Sequence, residues 1–406
     1  MRKYFLDHIR WITVLTVLFY HVLWIFNSLG VIGGLEKFKD NQPWDVLLTI
    51  IYPWFMILLY LIAGISAKYA LDFQSNKQFI KNKIDKLLIP STLGLIGYQS
   101  FIGYLNLKIG KVWDKIQFPM NVLIAILSSV GPLWFVQMLF IFSILIVLIK
   151  KINFSLTLYN YCKKINIFIL LLLGFVIWGS SMILNTPVII VFRWGIYFTV
   201  YLMGYFIFSH DEIQELIKKY HFIFLQLAFL FGLFYTYIFY RKNYVEQICL
   251  SHPLTNFYAW YMTLAILGYG KLYLDKEPKQ FLNTNGKISF FGKLSNYMIK
   301  NSFGIYVVHY LLCLGPGYYL KFHTNLRMEL IYLIDFLTTF LLSPLIFEIL
   351  KRIPIIRYIN FGIREEKIKK IYEVEKNKIN KNDNLNHLNL QLFSFNIFFT
   401  IIFLIL

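Results

Sequence analysis

Ten stretches of this chain are apolar for long enough to cross a hydrocarbon layer of about 30 Å as helices, and that repetition constrains the fold most. They lie at about 9–29, 45–67, 87–107, 121–149, 166–184, 187–208, 221–240, 254–274, 302–320 and 329–350. In lipid every backbone N–H and C=O must be paired internally, so runs of this kind demand helices. Composition agrees: 58% of the 406 residues are hydrophobic, 15% are charged, and the mean hydropathy is +0.59. A soluble domain is about a quarter charged. The expected fold is all-α, a polytopic transmembrane helical bundle of about ten spans.

Charge sets the expected orientation. The 40 Lys and Arg exceed the 21 Asp and Glu, a formal charge of +19. In a soluble protein that excess would suggest nucleic acid. Here the cations crowd into alternate connections, as the positive-inside rule requires, so no nucleic-acid partner is expected. Lys68, Lys77, Lys81, Lys83 and Lys86 follow the second span, and Lys150, Lys151, Lys163 and Lys164 follow the fourth. Six lysines between Lys271 and Lys300 follow the eighth, and Lys351, Arg352, Arg357 and Arg364 follow the tenth. The other connections are weaker: Glu36, Lys37, Lys39 and Asp40 cancel, and the turn near Asn185 is uncharged. Both ends of the core are thereby expected in the cytoplasm.

Residues 1–362 read as the transmembrane domain and 363–389 as a charged cytoplasmic linker. Residues 390–406 are apolar but interrupted, either an eleventh span or an interfacial segment. The first apolar segment carries Arg10 and His21 and lacks a small-residue cleavage site, so it reads as a span and not as a cleavable signal peptide. Cys162, Cys249 and Cys313 are scattered and show neither a disulfide framework nor metal spacing.

The first span holds the strongest chemical signal. Arg10 and His21 are eleven residues apart, close to three helical turns, so both emerge on one face about 16 Å apart. Ionisable groups inside a membrane are costly and default to function. With the span starting inside, Arg10 is expected near the cytoplasmic boundary and His21 about halfway across. Arg10 offers a permanently charged fork suited to phosphate, and Asp7 one turn earlier can pair with it. His21 can take up and release a proton near neutrality. The structural alternatives are a snorkelling arginine and a histidine bonded to a neighbouring helix.

Further ionisable and aromatic side chains are weaker signals. His309 in the ninth span either joins the same cavity or makes a helix–helix bond. Tyr306 reads as packing, and Trp134 as core more readily than site. Arg193, near the outer start of the sixth span, either touches an acceptor or snorkels. Glu348 is placed to pair with Lys351 or Arg352, and Asp335 has no assigned role.

Asp7-His8-Ile9-Arg10, followed after ten residues by His21, resembles the opening signature of the acyltransferase 3 family of membrane acyltransferases. Pro53-Trp54-Phe55 with Ala63-Gly64-Ile65-Ser66 is similar to that family's second helix, and Lys83-Ile84-Asp85-Lys86-Leu87-Leu88-Ile89-Pro90 to its basic block. Pro132-Leu133-Trp134-Phe135 resembles its fourth helix and Tyr306-Val307-Val308-His309 its late Tyr-x-x-His. Pro354-Ile355-Ile356-Arg357 through Gly362 resembles its closing segment.

The resemblance implies an O-acyltransferase of the cell membrane. It would move an acyl group, most simply acetyl, from cytoplasmic acyl-CoA to a hydroxyl of a carbohydrate or lipid-linked glycan. It implies His21 as the catalytic residue and Arg10 as its essential partner, with Lys83 and Lys86 binding the acyl donor. Many members carry two arginines where this chain has Lys83 and Lys86, and lysine loses the bidentate fork. Acyl-CoA is a co-substrate in this reading, and no metal or permanent cofactor is expected. The rival class is a transporter or flippase using Arg10, His21 and His309 as a path.

Overall fold

The computed structural model describes residues 2–364 apart from 32, 36 and 185–191. Residues 1–362 form one compact unit. The apolar tail, the charged linker beyond 364, Glu36 and the turn at Asn185 to Pro187 lie outside the described residues.

Every regular element among the described residues is helical. Helix α1 (Tyr4–Trp24) and α2 (Asp45–Phe73) are followed by α3 (Asn76–Lys83), α4 (Ile89–Thr92) and α5 (Ser100–Ile109). Then come α6 (Met120–Leu127), α7 (Trp134–Lys150), α8 (Phe154–Cys162), α9 (Ile167–Ser180), α10 (Trp194–Phe206) and α11 (Asp211–Lys219). The chain continues through α12 (His221–Phe239), α13 (Gln247–Leu250), α14 (Pro253–Tyr273) and α15 (Phe290–His323). It closes with α16 (Met328–Leu337), α17 (Ser343–Leu350) and α18 (Pro354–Phe361).

Among the described residues six helical segments are long and apolar enough to cross a membrane: Tyr4–Trp24, Asp45–Phe73, Met120–Lys150, His221–Phe239, Phe290–His323 and Met328–Leu350. The other four expected spans appear as shorter, broken or less apolar helices. The break in the third has a local cause. Pro90 lacks an N–H, and Ser91 and Thr92 turn their hydroxyls back onto the Leu87 and Leu88 carbonyls, both at 2.6 Å. A widened turn at Ile84–Leu88 and a tight one at Leu93–Ile96 flank the proline. The Met120–Lys150 segment is kinked where Gly131 adopts φ +44°, outside the helical region, ahead of Pro132.

Exposure on α12 fits a lipid solvent. Phe224, Ala228, Tyr235 and Phe239 are buried, while Phe229, Leu230, Leu233, Phe234 and Tyr237 are exposed. An apolar face of that size would aggregate in water. Between α2 and α10 the helices meet backbone to backbone. A Cβ on Gly64 would run into the Tyr201 carbonyl, and one on Gly204 into the Leu61 carbonyl.

The connections fall into two groups that bond among themselves. Around the start of α1, Lys3 pairs with Asp211 at 2.6 Å, Lys163 with Glu212 at 2.9 Å and Lys271 with Asp275 at 2.6 Å. Tyr69 donates to the Ser209 carbonyl at 3.1 Å, and Lys150 to the Leu71 carbonyl at 3.0 Å. Around the end of α1, Gln42 donates to the Phe26 carbonyl at 2.6 Å and Asn243 to that of Gly30 at 3.2 Å. The basic connections after α2, α7 and α14 thus gather at one end of the bundle.

Helix α1 is shifted relative to the expected span. It begins at Tyr4, with Asp7 in the first turn where the helix dipole favours a carboxylate. It stops at Trp24 because the Asn27 side chain folds the chain back. Its amide donates to the Trp24 carbonyl at 2.8 Å, and its oxygen accepts from the Leu29 and Val31 N–H groups. His21 consequently sits in the last turn of α1, not halfway along it, and Arg10 sits nearly two turns inside the start.

Candidate active site

A cavity of about 600 Å³ lies at the far end of α1 from Arg10. Val17, Tyr20, His21 and Trp24 of α1 form one wall, Tyr52 and Phe55 of α2 another. Gly131, Pro132 and Trp134 at the kink, Tyr197 of α10, and Tyr306 and Tyr310 of α15 complete it. Gly33, Gly34, Gly110 and Val245 bring in connections from the end opposite the basic cluster.

His21 is the central polar group. Its Nδ1 lies 3.0 Å from His309 Nε2, and His309 Nδ1 lies 2.5 Å from the Tyr306 carbonyl oxygen. Tyr310, Tyr20 and Trp24 meet the His21 ring edge-on, with centroids 5.2, 5.5 and 5.9 Å away. His309 is fully buried behind His21 and does not line the cavity. Tyr306 walls the cavity with its ring and donates its hydroxyl to the Pro132 carbonyl. The kink at Gly131 is what brings that carbonyl to α15. Tyr306 therefore does more than pack, and Trp134, stacked on Tyr197 at 5.9 Å, belongs to the cavity wall.

Arg10 stands apart from the cavity. Its Nη2 donates to Ser66 Oγ at 2.8 Å and its Nη1 to Asp7 at 3.2 Å, as the one-turn spacing predicts. Val14 and Val17 fill the stripe between Arg10 and His21 and are 7% and 2% exposed. Arg10 and His21 therefore do not touch, and any partnership between them acts along the shared face of α1. A straight helix carries them three turns apart, and packed valines separate their surroundings.

The cationic residues meet at the start of α1. Lys83 is half-buried, its ammonium 5.0 Å from the centre of the Phe79 ring. Burial, with the Lys86 and Arg10 charges nearby, lowers its pKa to about 8. Lys86 is exposed. Arg10, Lys83 and Lys86 thus share one electropositive neighbourhood, and its residues fit a phosphate-bearing ligand.

Arg193 neither snorkels nor enters the cavity. It is 3% exposed, donates to the Leu250 carbonyl at 3.1 Å and lies over the Tyr197 ring, bracing that wall from behind. Glu348 pairs with Lys351 at 2.5 Å, as its spacing predicts. Asp335 is buried beside Cys313 Sγ at 3.6 Å, away from the cavity.

Tyr20, Tyr52, Tyr197 and Tyr310 are wall residues that sequence reasoning did not single out. Tyr20 and Tyr310 each adjoin a histidine, which is a usable signal. Nothing marks Tyr52 or Tyr197 among 29 tyrosines.

The family comparison decides the class. A family model described as an acyltransferase domain, that of the acyltransferase 3 family, matches residues 3–348. The chain belongs to the acyltransferase 3 family. No curated protein and no solved structure matches it. As a member of this family it is a membrane acyltransferase, transferring a group other than aminoacyl. The match takes in α1, the basic block, the kink and the Tyr306–His309 turn, and stops short of the Pro354 to Gly362 segment.

Proposed function

We propose that this acyltransferase moves an acyl group, most simply acetyl, from cytoplasmic acyl-CoA to a hydroxyl of a carbohydrate or lipid-linked glycan at the cell membrane. The observation carrying this reading is His21, held by His309 at 3.0 Å and facing a large aromatic cavity. Aromatic walls suit the apolar C–H faces of a sugar ring while leaving its hydroxyls free to react. The acyl donor enters from the start of α1, where Arg10, Lys83 and Lys86 attract its phosphates. To reach His21, ~16 Å along the same face, its pantetheine arm has to part the packing over Val14, beyond which Val17 already borders the cavity.

In the direct route His21 removes the acceptor hydroxyl proton and the oxygen attacks the thioester carbonyl. The C–O bond forms, the C–S bond breaks, and the proton leaves with the CoA thiolate. In the relay route the His21 ring nitrogen attacks the thioester carbonyl and the C–S bond breaks to release the CoA thiolate. The acceptor oxygen then takes the acyl group, the N–C bond breaks, and the hydroxyl proton goes to the thiolate. Lys83 and Lys86 supply charge to the donor without the bidentate grip of arginine.

The topology that fits this traffic has ten crossings, with the start of α1 and the basic connections in the cytoplasm. The cavity then opens toward the opposite side, where the acceptor arrives. The test is purified protein in nanodiscs with acyl-labelled acetyl-CoA and a panel of glycan acceptors. Label transfer or donor hydrolysis is expected. Substrate uptake by sealed vesicles with no acyl consumption would overturn the reading in favour of transport.

A further inference from the structure

The bonds behind His21 fix the position of its protons. A backbone carbonyl oxygen only accepts, so the 2.5 Å contact with Tyr306 places the His309 proton on Nδ1. Neutral His309 then presents a bare Nε2. That lone pair, 3.0 Å from His21 Nδ1, requires the His21 proton to be on Nδ1. The Val17 carbonyl, one turn earlier on α1, also faces the His21 ring and accepts only.

We propose that His309 is a positioning residue that holds His21 in its Nδ1–H tautomer, leaving Nε2 as the atom that meets the reacting hydroxyl or acyl group. This rests on His21 as the reacting group and adds how it is prepared. The role is one that a carboxylate fills in many histidine-dependent enzymes. Here a second neutral imidazole takes it, oriented in turn by the main chain of its own helix. Within a membrane that exchange avoids burying a permanent negative charge. When His21 Nε2 takes the hydroxyl proton, the imidazolium keeps its Nδ1–H on His309 Nε2, which stabilises the cation formed. His309 never touches substrate, because it is fully buried behind His21.

The test combines spectroscopy with kinetics on the full chain in nanodiscs. Histidine labelled with nitrogen-15 gives separate Nδ1 and Nε2 resonances, with the His21 signals assigned from the His21→Asn difference. In the wild type, His21 is expected with a protonated Nδ1 and a bare Nε2. His309→Phe is expected to mix the tautomers and lower kcat about 100-fold, within the range of general-base effects, with donor KM unchanged. His309→Gln keeps an acceptor and should recover kcat to within about tenfold of wild type. A protonated Nε2 with a bare Nδ1 in the active wild-type enzyme would overturn the proposal without any variant. So would wild-type kcat in a folded His309→Phe protein. If His21→Ala is inactive while His309→Phe is fully active, this inference alone fails. If His21→Ala is active, the function proposed above fails with it.

Discussion

Arg10 and His21 share one stripe of α1 yet face different surroundings. The guanidinium bonds Ser66 at 2.8 Å and Asp7 at 3.2 Å, while the imidazole faces the aromatic cavity against His309 at 3.0 Å. In the proposed reaction Arg10 holds the donor and His21 acts on it from the same helix face.

Arg10→Ala should therefore act on donor binding more than on chemistry. A charge-assisted hydrogen bond contributes about 1.5–3 kcal/mol, so donor KM should rise roughly 10- to 100-fold. The value of kcat should change much less. Steady-state kinetics with varied acetyl-CoA checks this split.

Lys83 should impose a pH limit on donor capture. With its pKa lowered to about 8, it is roughly nine-tenths protonated at pH 7 and roughly one-tenth at pH 9. Donor affinity should fall as pH rises through that value. Bound phosphate favours the charged form, so the break belongs to kcat/KM and not to kcat. Lys83→Arg stays charged and should abolish the break, which a pH series from 6 to about 9.5 would reveal.

Trp134→Ala opens the cavity wall beside Tyr197, where the proposed acceptor would sit, while leaving the cationic cluster untouched. Aromatic contacts contribute about 0.5–1.5 kcal/mol beyond area. Acceptor KM should rise about 3- to 10-fold with donor KM constant, as bisubstrate kinetics would report.

Gly64→Ala places a methyl group against the Tyr201 carbonyl on α10. That contact is backbone and cannot rotate away. Overpacking of about 1–3 kcal/mol is expected, seen as a lower melting temperature in detergent. A side chain without such a clash, as in Gly179→Ala where nothing lies within 4 Å, should leave the melting temperature nearly unchanged.

The helices were legible because lipid crossing imposes length and apolarity on each one. The register of α1 was not. The apolar run continues to Leu29, and only the Asn27 side-chain bonds reveal that the helix ends at Trp24. His21 and Arg10 stood out because ionisable groups are rare in such a segment. Their separation was hidden, since a shared stripe says nothing of what packs over Val14 and Val17. The His21–His309 bond joins residues 288 positions apart, a pairing no local spacing encodes. The aromatic wall was invisible for the opposite reason: 29 tyrosines and 40 phenylalanines leave no single ring conspicuous.

The most direct measurement is acyl-group turnover by His21→Ala in nanodiscs, alongside its melting temperature. An unchanged melting temperature with transfer and donor hydrolysis reduced at least 100-fold is the predicted result. Full turnover in the folded variant would contradict the account, because no other group would then need that cavity wall.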